Sequence, residues 1–360
     1  MIAIVGAGPA GSYLAFTLAS AGREVSLFEE HAVIGKPVQC TGIVTNVYDQ
    51  FDLPKSIIRN ELEEVRIHAG KKVTSIPLSE HVLDRHKLDD TLAKMAKKAG
   101  AQVFLQHKYV GREKNANGNS ALFQTSDGTK RIPFSFLAGC DGPNSSVART
   151  SGLDNSSKYY IAAQASVEGT YDKGVFDTYF GDVAPKFFAW SVPESKHVSR
   201  IGLATMESPG IHYKKFLAEQ GGRSVDMLGG LIPVFNPRSK TMNDTTALIG
   251  DASGFVKATT GGGIITSMLQ AELIAKKILG EPWKKEYSKL RFELWLHLRL
   301  RNMLNNFSQN DYEKLVGLMD SHRVKTILSK YPREYPSKFL YKLFLAEPRI
   351  AVLGLLKFGL

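Results

Sequence analysis

The chain opens with two short apolar runs on either side of a helical stretch. Residues 2–5 and 24–28 are apolar runs of strand length, and the large apolar residues of 13–18 recur at helical spacing. A helix-period pattern between two such runs predicts a β–α–β unit over residues 1–30.

The remaining pattern divides the chain into further regions. Residues 87–99 show helical periodicity and end before Gly100, a residue typical of helix C-caps. Residues 153–245 are strand-rich and aromatic, which favours an antiparallel sheet inserted into the first domain. We therefore expect an α/β fold with three regions. The predicted regions are a discontinuous Rossmann-like domain (1–152 with 246–280), an antiparallel β-sheet domain (153–245) and a helical, basic C-terminal segment (281–360).

The first β–α–β unit carries a nucleotide-binding pattern. Gly6, Gly8 and Gly11 form G-x-G-x-x-G directly after the first strand, and Glu29 follows the second strand, 18 residues past Gly11. Gly6 allows a tight turn, Gly8 lets a pyrophosphate approach the backbone, and Gly11 lets helix and strand pack closely. The helix N-terminus favours the negative pyrophosphate, and Glu29 can accept hydrogen bonds from ribose hydroxyls. This spacing predicts dinucleotide binding.

Composition sets limits on the class of protein. The chain has 360 residues, 43% of them hydrophobic, and its two cysteines, Cys40 and Cys140, fit a reducing cytosol. Neither cysteine lies in a metal-ligand spacing, so we expect no metal. The first strand begins at residue 2 and no apolar run is long enough to span a bilayer, so we expect a cytoplasmic protein without a signal peptide.

Positive charge is concentrated near the C-terminus. The net charge is +11, and residues 276–360 hold 17 Lys or Arg against 8 Asp or Glu, interleaved with large apolar residues. This mixture favours peripheral docking on an anionic membrane surface. A basic helical cap packed on its own core is the alternative. Nucleic-acid binding is not expected, because no recognised binding module is visible.

A later segment resembles a known flavoprotein motif. Gly250-Asp251-Ala252, followed by the glycine run Gly261–Gly263, resembles the second FAD motif of the group that contains aromatic-ring hydroxylases and geranylgeranyl reductases. In that group the aspartate binds the ribityl chain, and the glycines let the backbone approach the flavin. Asp141-Gly142 resembles the group's intermediate Asp-Gly motif, and Arg85 lies in a segment similar to the one whose arginine runs along FAD.

Other segments resemble the geranylgeranyl reductase branch. Residues 36–42 are similar to the reductases' cysteine-bearing segment, and residues 188–193 to their Tyr-x-Trp-x-Phe-Pro substrate motif. Phe188 replaces the motif tyrosine, Val192 replaces the phenylalanine, and the proline usual before the glycine run is missing at 257–258. The histidine that hydroxylases carry after Gly-Asp-Ala is absent. The chain is therefore identified as a member of the geranylgeranyl reductase family, a resemblance that reaches to about residue 300.

The resemblance implies FAD as cofactor and assigns the site residues. It makes 1–152 with 246–280 the FAD-binding domain and 153–245 the antiparallel-sheet substrate-binding domain. Cys40 is the candidate catalytic acid, or shapes the region around the flavin. The predicted cofactor-binding residues are Gly6, Gly8, Pro9, Ala10, Gly11, Glu29, Glu30, Cys40, Arg85, Asp141, Gly142, Gly250, Asp251, Gly261, Gly262, Gly263 and Ile264. The predicted substrate-binding residues are Phe188, Trp190 and Pro193.

The implied activity is saturation of isolated double bonds in geranylgeranyl chains of an isoprenoid membrane glycerophospholipid. A chlorophyll-type or quinone-type prenyl chain stays open. The alternatives are an FAD-dependent monooxygenase of a small or aromatic substrate and an electron-transfer flavoprotein, although two cysteines cannot build a four-cysteine iron–sulfur site. The electron donor is expected to bind transiently and is either NAD(P)H or ferredoxin.

Overall fold

The structure, a computed structural model, describes residues 1–38, 40–116, 118–154, 158–355 and 357. Its strands are β1 Ile2–Val5, β2 Val25–Phe28, β3 Ile43–Thr45, β4 Ile58–Ala69, β5 Lys72–Leu83, β6 Gln102–Phe104, β7 Lys108–Asn115, β8 Gly118–Thr125, β9 Gly128–Phe134, β10 Phe136–Gly139, β11 Tyr159–Glu168, β12 Val175–Phe180, β13 Phe188–Pro193, β14 Val198–Thr205, β15 Arg223–Pro233 and β16 Thr246–Leu248. Its α-helices are α1 Pro9–Ser20, α2 Arg85–Lys98, α3 Ser146–Ser151, α4 Pro209–Gln220, α5 Ile264–Leu279, α6 Lys284–Leu304, α7 Gln309–Met319, α8 His322–Lys330, α9 Leu340–Ala346 and α10 Pro348–Leu355.

A parallel sheet forms the nucleotide-binding half of the molecule. Its strands run in the order β16-β10-β1-β2-β6, with β1 between β10 and β2. Strands β1, β2, β10 and β16 are buried along their whole length because helices and the small sheet β7-β8-β9 cover the two faces. Helix α1 packs between α2 and α5, which completes the predicted Rossmann-like arrangement.

The second sheet is larger and mainly antiparallel. Its order is β15-β11-β14-β13-β12-β4-β5-β3, with one parallel pairing between β12 and β4. Strands β11–β15 come from the predicted insertion, whereas β3–β5 lie within residues 43–83 of the first predicted region. The sheet therefore joins two separate parts of the chain, and the 153–245 boundary of the substrate domain stays a prediction.

The C-terminal segment is helical and packs on the large sheet. Helices α7 and α8 contact β5, and α7 also contacts β4. Apolar residues of the sheet and of α6, α7 and α8 share one core, which includes Phe176, Trp190, Leu298, Met319 and Leu328. The segment thus covers one face of the sheet. No helix in the described ranges is long and apolar enough to cross a bilayer.

Candidate flavin and lipid site

The loop between β1 and α1 is built around glycine. Gly6 has φ of +97°, and a methyl group on it would lie 2.4 Å from the carbonyl oxygen of Cys140. A methyl group on Gly11 would lie 2.0 Å from the carbonyl oxygen of Gly6, whereas one on Gly8 would meet no atom within 4 Å. Gly6 and Gly11 are therefore required by the protein's own packing, and Gly8 leaves open space for a ligand.

Glu29 fixes the shape of this loop from the end of β2. Its Oε2 accepts a hydrogen bond from the Ala7 N–H at 2.9 Å, and its Oε1 accepts one from the His31 N–H at 3.0 Å. The carboxylate stays partly exposed to the cavity, with 13% of its side chain accessible. It can therefore accept ribose hydroxyls without leaving the loop.

A second glycine cradle lies against the start of α1 and lines the same cavity. Gly250 has φ of +66°, and a methyl group on it would lie 3.2 Å from Ala10 Cβ and 3.1 Å from Ser267 Cβ. Gly263 caps helix α5 without a side-chain hydrogen bond, so no side chain of the cap covers the first amides of the helix. A methyl group on Gly263 would lie 2.9 Å from Asp251 Oδ1. Asp251 and the start of α5 thus lie side by side on the cavity wall, with no room between them for a side chain at position 263.

Asp251 and Arg85 place opposite charges beside this cradle. Burial raises the pKa of Asp251 to about 6, and the positive charge of Arg85 partly opposes that shift. Arg85 Nη2 donates to Asp89, while Arg85 Nε is buried and has no hydrogen-bond partner among the residues that the structure describes. An unpaired buried donor is costly, which fits a group that awaits a ligand acceptor.

Asp141 has a structural role that sequence reasoning did not assign. Its Oδ2 accepts hydrogen bonds from the N–H groups of Ser146 and Val147, and its Oδ1 accepts one from Ser145 Oγ. Asp141 thereby caps helix α3 and holds Gly142 at the cavity wall.

The loop that contains Cys40 forms another part of the cavity wall. Cys40 Sγ accepts a hydrogen bond from the Gly42 N–H at 3.3 Å, and Arg200 donates to the carbonyl oxygens of Cys40 and Thr41 at 3.0 and 2.6 Å. Arg85 also contacts Cys40. Arg200 thus ties the loop to the large sheet, a link that no sequence pattern had indicated.

A single continuous cavity of about 1070 Å³ runs from the glycine loops into an apolar chamber. One wall is the face of the large sheet with Ile67, Ile76, Phe180, Phe188 and Trp190. The other wall is the C-terminal segment, and its lining residues are His297, Leu300, Leu304, Met319, Leu328 and Phe339. The C-terminal segment is therefore part of the site.

Nearly all predicted site residues converge on this cavity. The cofactor candidates line it except Gly11, which packs against the Gly6 loop, and Phe188 and Trp190 line it as well. Pro193 lies at the end of β13, outside the lining residues, and its carbonyl oxygen accepts a hydrogen bond from Asn60. The assignment of these residues to FAD and to substrate stays a prediction.

The structure adds a buried charged cluster that the sequence had not indicated. Lys257 pairs with Glu334, Glu80 pairs with Arg333, and Thr45 Oγ1 donates to Glu334. His297 lies beside them, and burial lowers its pKa to about 3, so the ring is neutral. These residues are far apart in sequence, and only the contact between the C-terminal segment and the large sheet brings them together.

Comparisons with known proteins identify the family. A model of the FAD binding domain matches residues 1–184, about half of the chain. A digeranylgeranylglycerophospholipid reductase of Methanothrix thermoacetophila is 28% identical over 90% of this chain and 92% of that protein.

Solved structures share the fold. A geranylgeranyl bacteriochlorophyll reductase-like protein from Thermoplasma acidophilum superimposes with a TM-score of 0.83 at 22% identity, over 96% of both chains. The flavin-dependent halogenase CmlS has a TM-score of 0.69 at 14% identity, over 96% of this chain and 76% of its own. With the FAD binding domain matched over half of its length, the chain belongs to the FAD binding domain family, and FAD is its cofactor.

Proposed function

We propose that this protein is an FAD-dependent reductase that saturates isolated double bonds of geranylgeranyl chains in an isoprenoid membrane glycerophospholipid. The observation that carries the proposal is the continuity of the flavin site with an apolar chamber. The relative from Methanothrix thermoacetophila, named for reduction of such a lipid, is similar over most of its length. A hydroxylase is related only at the level of the fold.

The chemistry divides between the cofactor and the chain. Reduced FAD, when bound, supplies a hydride. An isolated alkene is electron-rich, so a proton must reach one carbon as the hydride reaches the other. The π bond breaks and two C–H bonds form. The chain must orient the alkene, exclude water and hold an acid near it.

The lining residues suit these tasks. Phe180, Phe187, Phe188 and Trp190 lie in contact from ring to ring along the chamber, with centroids 4.5 to 5.8 Å apart. Aromatic faces attract positive charge and can stabilise the cation-like carbon that protonation of an alkene creates. They also keep the chamber dry.

Cys40 remains the proposed acid, because its thiol lies in the loop that closes the flavin end of the cavity. Cys40→Ser keeps a small hydroxyl group in place, and Cys40→Ala removes the donor. If both variants reduce the lipid as fast as wild type in a single turnover, Cys40 is not the acid.

A lipid substrate also requires access to a membrane, and we propose that α9 and α10 provide it. Tyr341, Leu345, Val352 and Leu355 are exposed, with 77% of Leu345 and 65% of Leu355 accessible. Lys338 and Lys342 lie on the same segment, so the surface pairs apolar contact with attraction to anionic headgroups.

Leu345→Glu with Leu355→Glu should weaken sedimentation with anionic liposomes and leave FAD binding unchanged. Equal sedimentation of the double variant and wild type would contradict this surface.

The activity is tested directly with purified protein reduced by dithionite under argon. Mixed with a geranylgeranylated glycerophospholipid, it should add two hydrogens per double bond, detected by mass spectrometry, while the flavin is reoxidised. An unchanged lipid with flavin that stays reduced until oxygen is admitted would contradict the proposal.

A further inference from the structure

Lys257 lies in the loop that shapes the second glycine cradle. Its carbonyl oxygen accepts hydrogen bonds from the N–H groups of Gly261 and Thr260 at 2.8 and 3.1 Å, and its own N–H donates to Gly262 at 3.2 Å. The side chain turns back over the same glycines. A methyl group on Gly262 would lie 3.0 Å from Lys257 Cε and 3.4 Å from Nζ. The ammonium group is therefore fixed beside the start of α5.

The lysine is buried and paired. Only 8% of its side chain is accessible, and Nζ pairs with Glu334, whose side chain is 1% accessible. Glu334 also accepts a hydrogen bond from Thr45 at 2.5 Å. Burial alone would raise the pKa of the Glu334 carboxyl, but Lys257, Thr45 and Arg333 lower it below its usual value. Glu334 is thus ionised and opposes the charge of Lys257.

Stabilisation of the fold does not by itself explain a buried ion pair such as that of Lys257 and Glu334. Removing two charges from water costs several kcal/mol per ion, and an apolar pair of similar size is often at least as stable. Lys257 lines the cavity that holds the glycine run and Asp251, whereas Glu334 does not line it. The positive end of the pair therefore faces the cofactor site, and the negative end lies behind it.

We propose that Lys257 and Glu334 together set the reduction potential of the flavin, Lys257 as the residue that favours the reduced form and Glu334 as the residue that moderates it. At neutral pH the oxidised ring takes up two electrons and one proton and gains one negative charge. A nearby cation stabilises that charge in a site of low dielectric, and a nearby anion destabilises it. This inference depends on FAD binding and not on the identity of the lipid.

The experiment measures the ratio of reduced to oxidised flavin in the full-length holoprotein, equilibrated with a redox dye at a fixed potential. Lys257→Met should lower the ratio about tenfold, equivalent to about 30 mV for a two-electron couple. Glu334→Gln should raise it, because the amide keeps a similar shape and loses the charge. The double variant should have a ratio of reduced to oxidised flavin close to that of wild type. The control is Lys276→Met, which breaks an exposed pair with Glu286 and should change nothing.

A purely structural pair predicts a different pattern, since either single variant would loosen the loop and shift the ratio in the same direction. Shifts of the same sign, or changes below about twofold in both variants, would overturn the proposal. If Lys257→Met fails to fold, the test depends on Glu334→Gln alone. An unchanged or lower ratio of reduced to oxidised flavin in that variant would overturn the proposal. Lipid reduction is assayed separately, so a failure here leaves the proposed activity untouched.

Discussion

At the scale of single residues, the glycines of the G-x-G-x-x-G pattern are required for two different reasons. Gly11 is demanded by the protein, because a side chain there would meet the Gly6 carbonyl. Gly8 has φ of −72°, which any residue adopts, and open space around it. The requirement at Gly8 therefore comes from the pyrophosphate that must approach the backbone.

This difference predicts opposite phenotypes for two similar substitutions. Gly8→Ala should leave the thermal stability of the FAD-free protein almost unchanged and weaken FAD binding at least about tenfold, a loss of about 1.4 kcal/mol. Gly11→Ala should destabilise the fold itself by about 1–3 kcal/mol through overpacking. Thermal unfolding of the FAD-free forms, together with FAD titration, separates the two. A strongly destabilised Gly8→Ala variant would contradict this assignment.

Asp251 predicts a pH dependence of stability. Burial raises its folded-state pKa to about 6, from 3.8 in the unfolded chain, so the folded state binds more protons between these values. Stability contributed by the protonated form is therefore present below about pH 4 and lost as pH rises to 6, by up to about 3 kcal/mol.

The matched variant is Asp251→Asn, which cannot ionise. In denaturant titrations of the FAD-free protein, its stability relative to wild type should increase as pH rises from 4 to 6. A constant difference across that range would show that Asp251 has an ordinary pKa.

At the scale of elements, the C-terminal helices begin in different ways. Ser308 caps α7 with a capping box, in which its hydroxyl accepts from the Asp311 N–H and Asp311 accepts from the Ser308 N–H. Ser321 occupies the same position before α8 without a side-chain hydrogen bond to the helix. The two serines form a natural comparison, because both helices pack on the large sheet.

Ser308→Ala should therefore cost about 1 kcal/mol of unfolding free energy, the usual value of a lost N-cap. Ser321→Ala should cost only a few tenths, since no cap bond is removed. Urea denaturation followed by circular dichroism measures both. Equal losses in the two variants would contradict the importance of the capping box.

The elements also show what the sequence could predict. Periodicity and glycine spacing located β1, α1 and β2, because those signals are local. The pairing of β12 with β4 could not be predicted, since residues 43–83 and 175–180 carry no pattern that links them. The ion pair of Lys257 and Glu334 could not be predicted either, because no sequence pattern links these two positions.

At the scale of the whole molecule, the cavity depends on three parts of the chain. The parallel sheet supplies the glycine loops, the large sheet supplies the aromatic wall, and the C-terminal segment supplies the cover. Charge alone had indicated a membrane surface or a helical cap for that segment. The structure shows that it packs on the core, and its exposed apolar residues in α9 and α10 leave the membrane role as a proposal.

The depth of the chamber predicts selectivity for chain length. Ile67 lines the cavity and packs in one apolar cluster with Phe180, Tyr312 and Leu304. Ile67→Trp should fill that part of the cavity and lower kcat/KM for a geranylgeranyl lipid about tenfold, while a lipid with a shorter prenyl chain keeps its rate. Phe292→Trp, at an exposed site on α6, is the control. Equal losses for long and short chains would place the prenyl tail elsewhere.

The parallel pairing of β12 with β4 has a consequence for how the protein is made. Strands β4 and β5 leave the ribosome as a hairpin, but the neighbour of β4 follows about a hundred residues later, and β16 completes the other sheet later still. At the 5–20 residues per second of synthesis, the hairpin waits with an unpaired edge for several seconds. Such an edge is open to pairing with another nascent chain. Slow elongation on closely spaced ribosomes should therefore favour aggregation of this protein before the fold is complete.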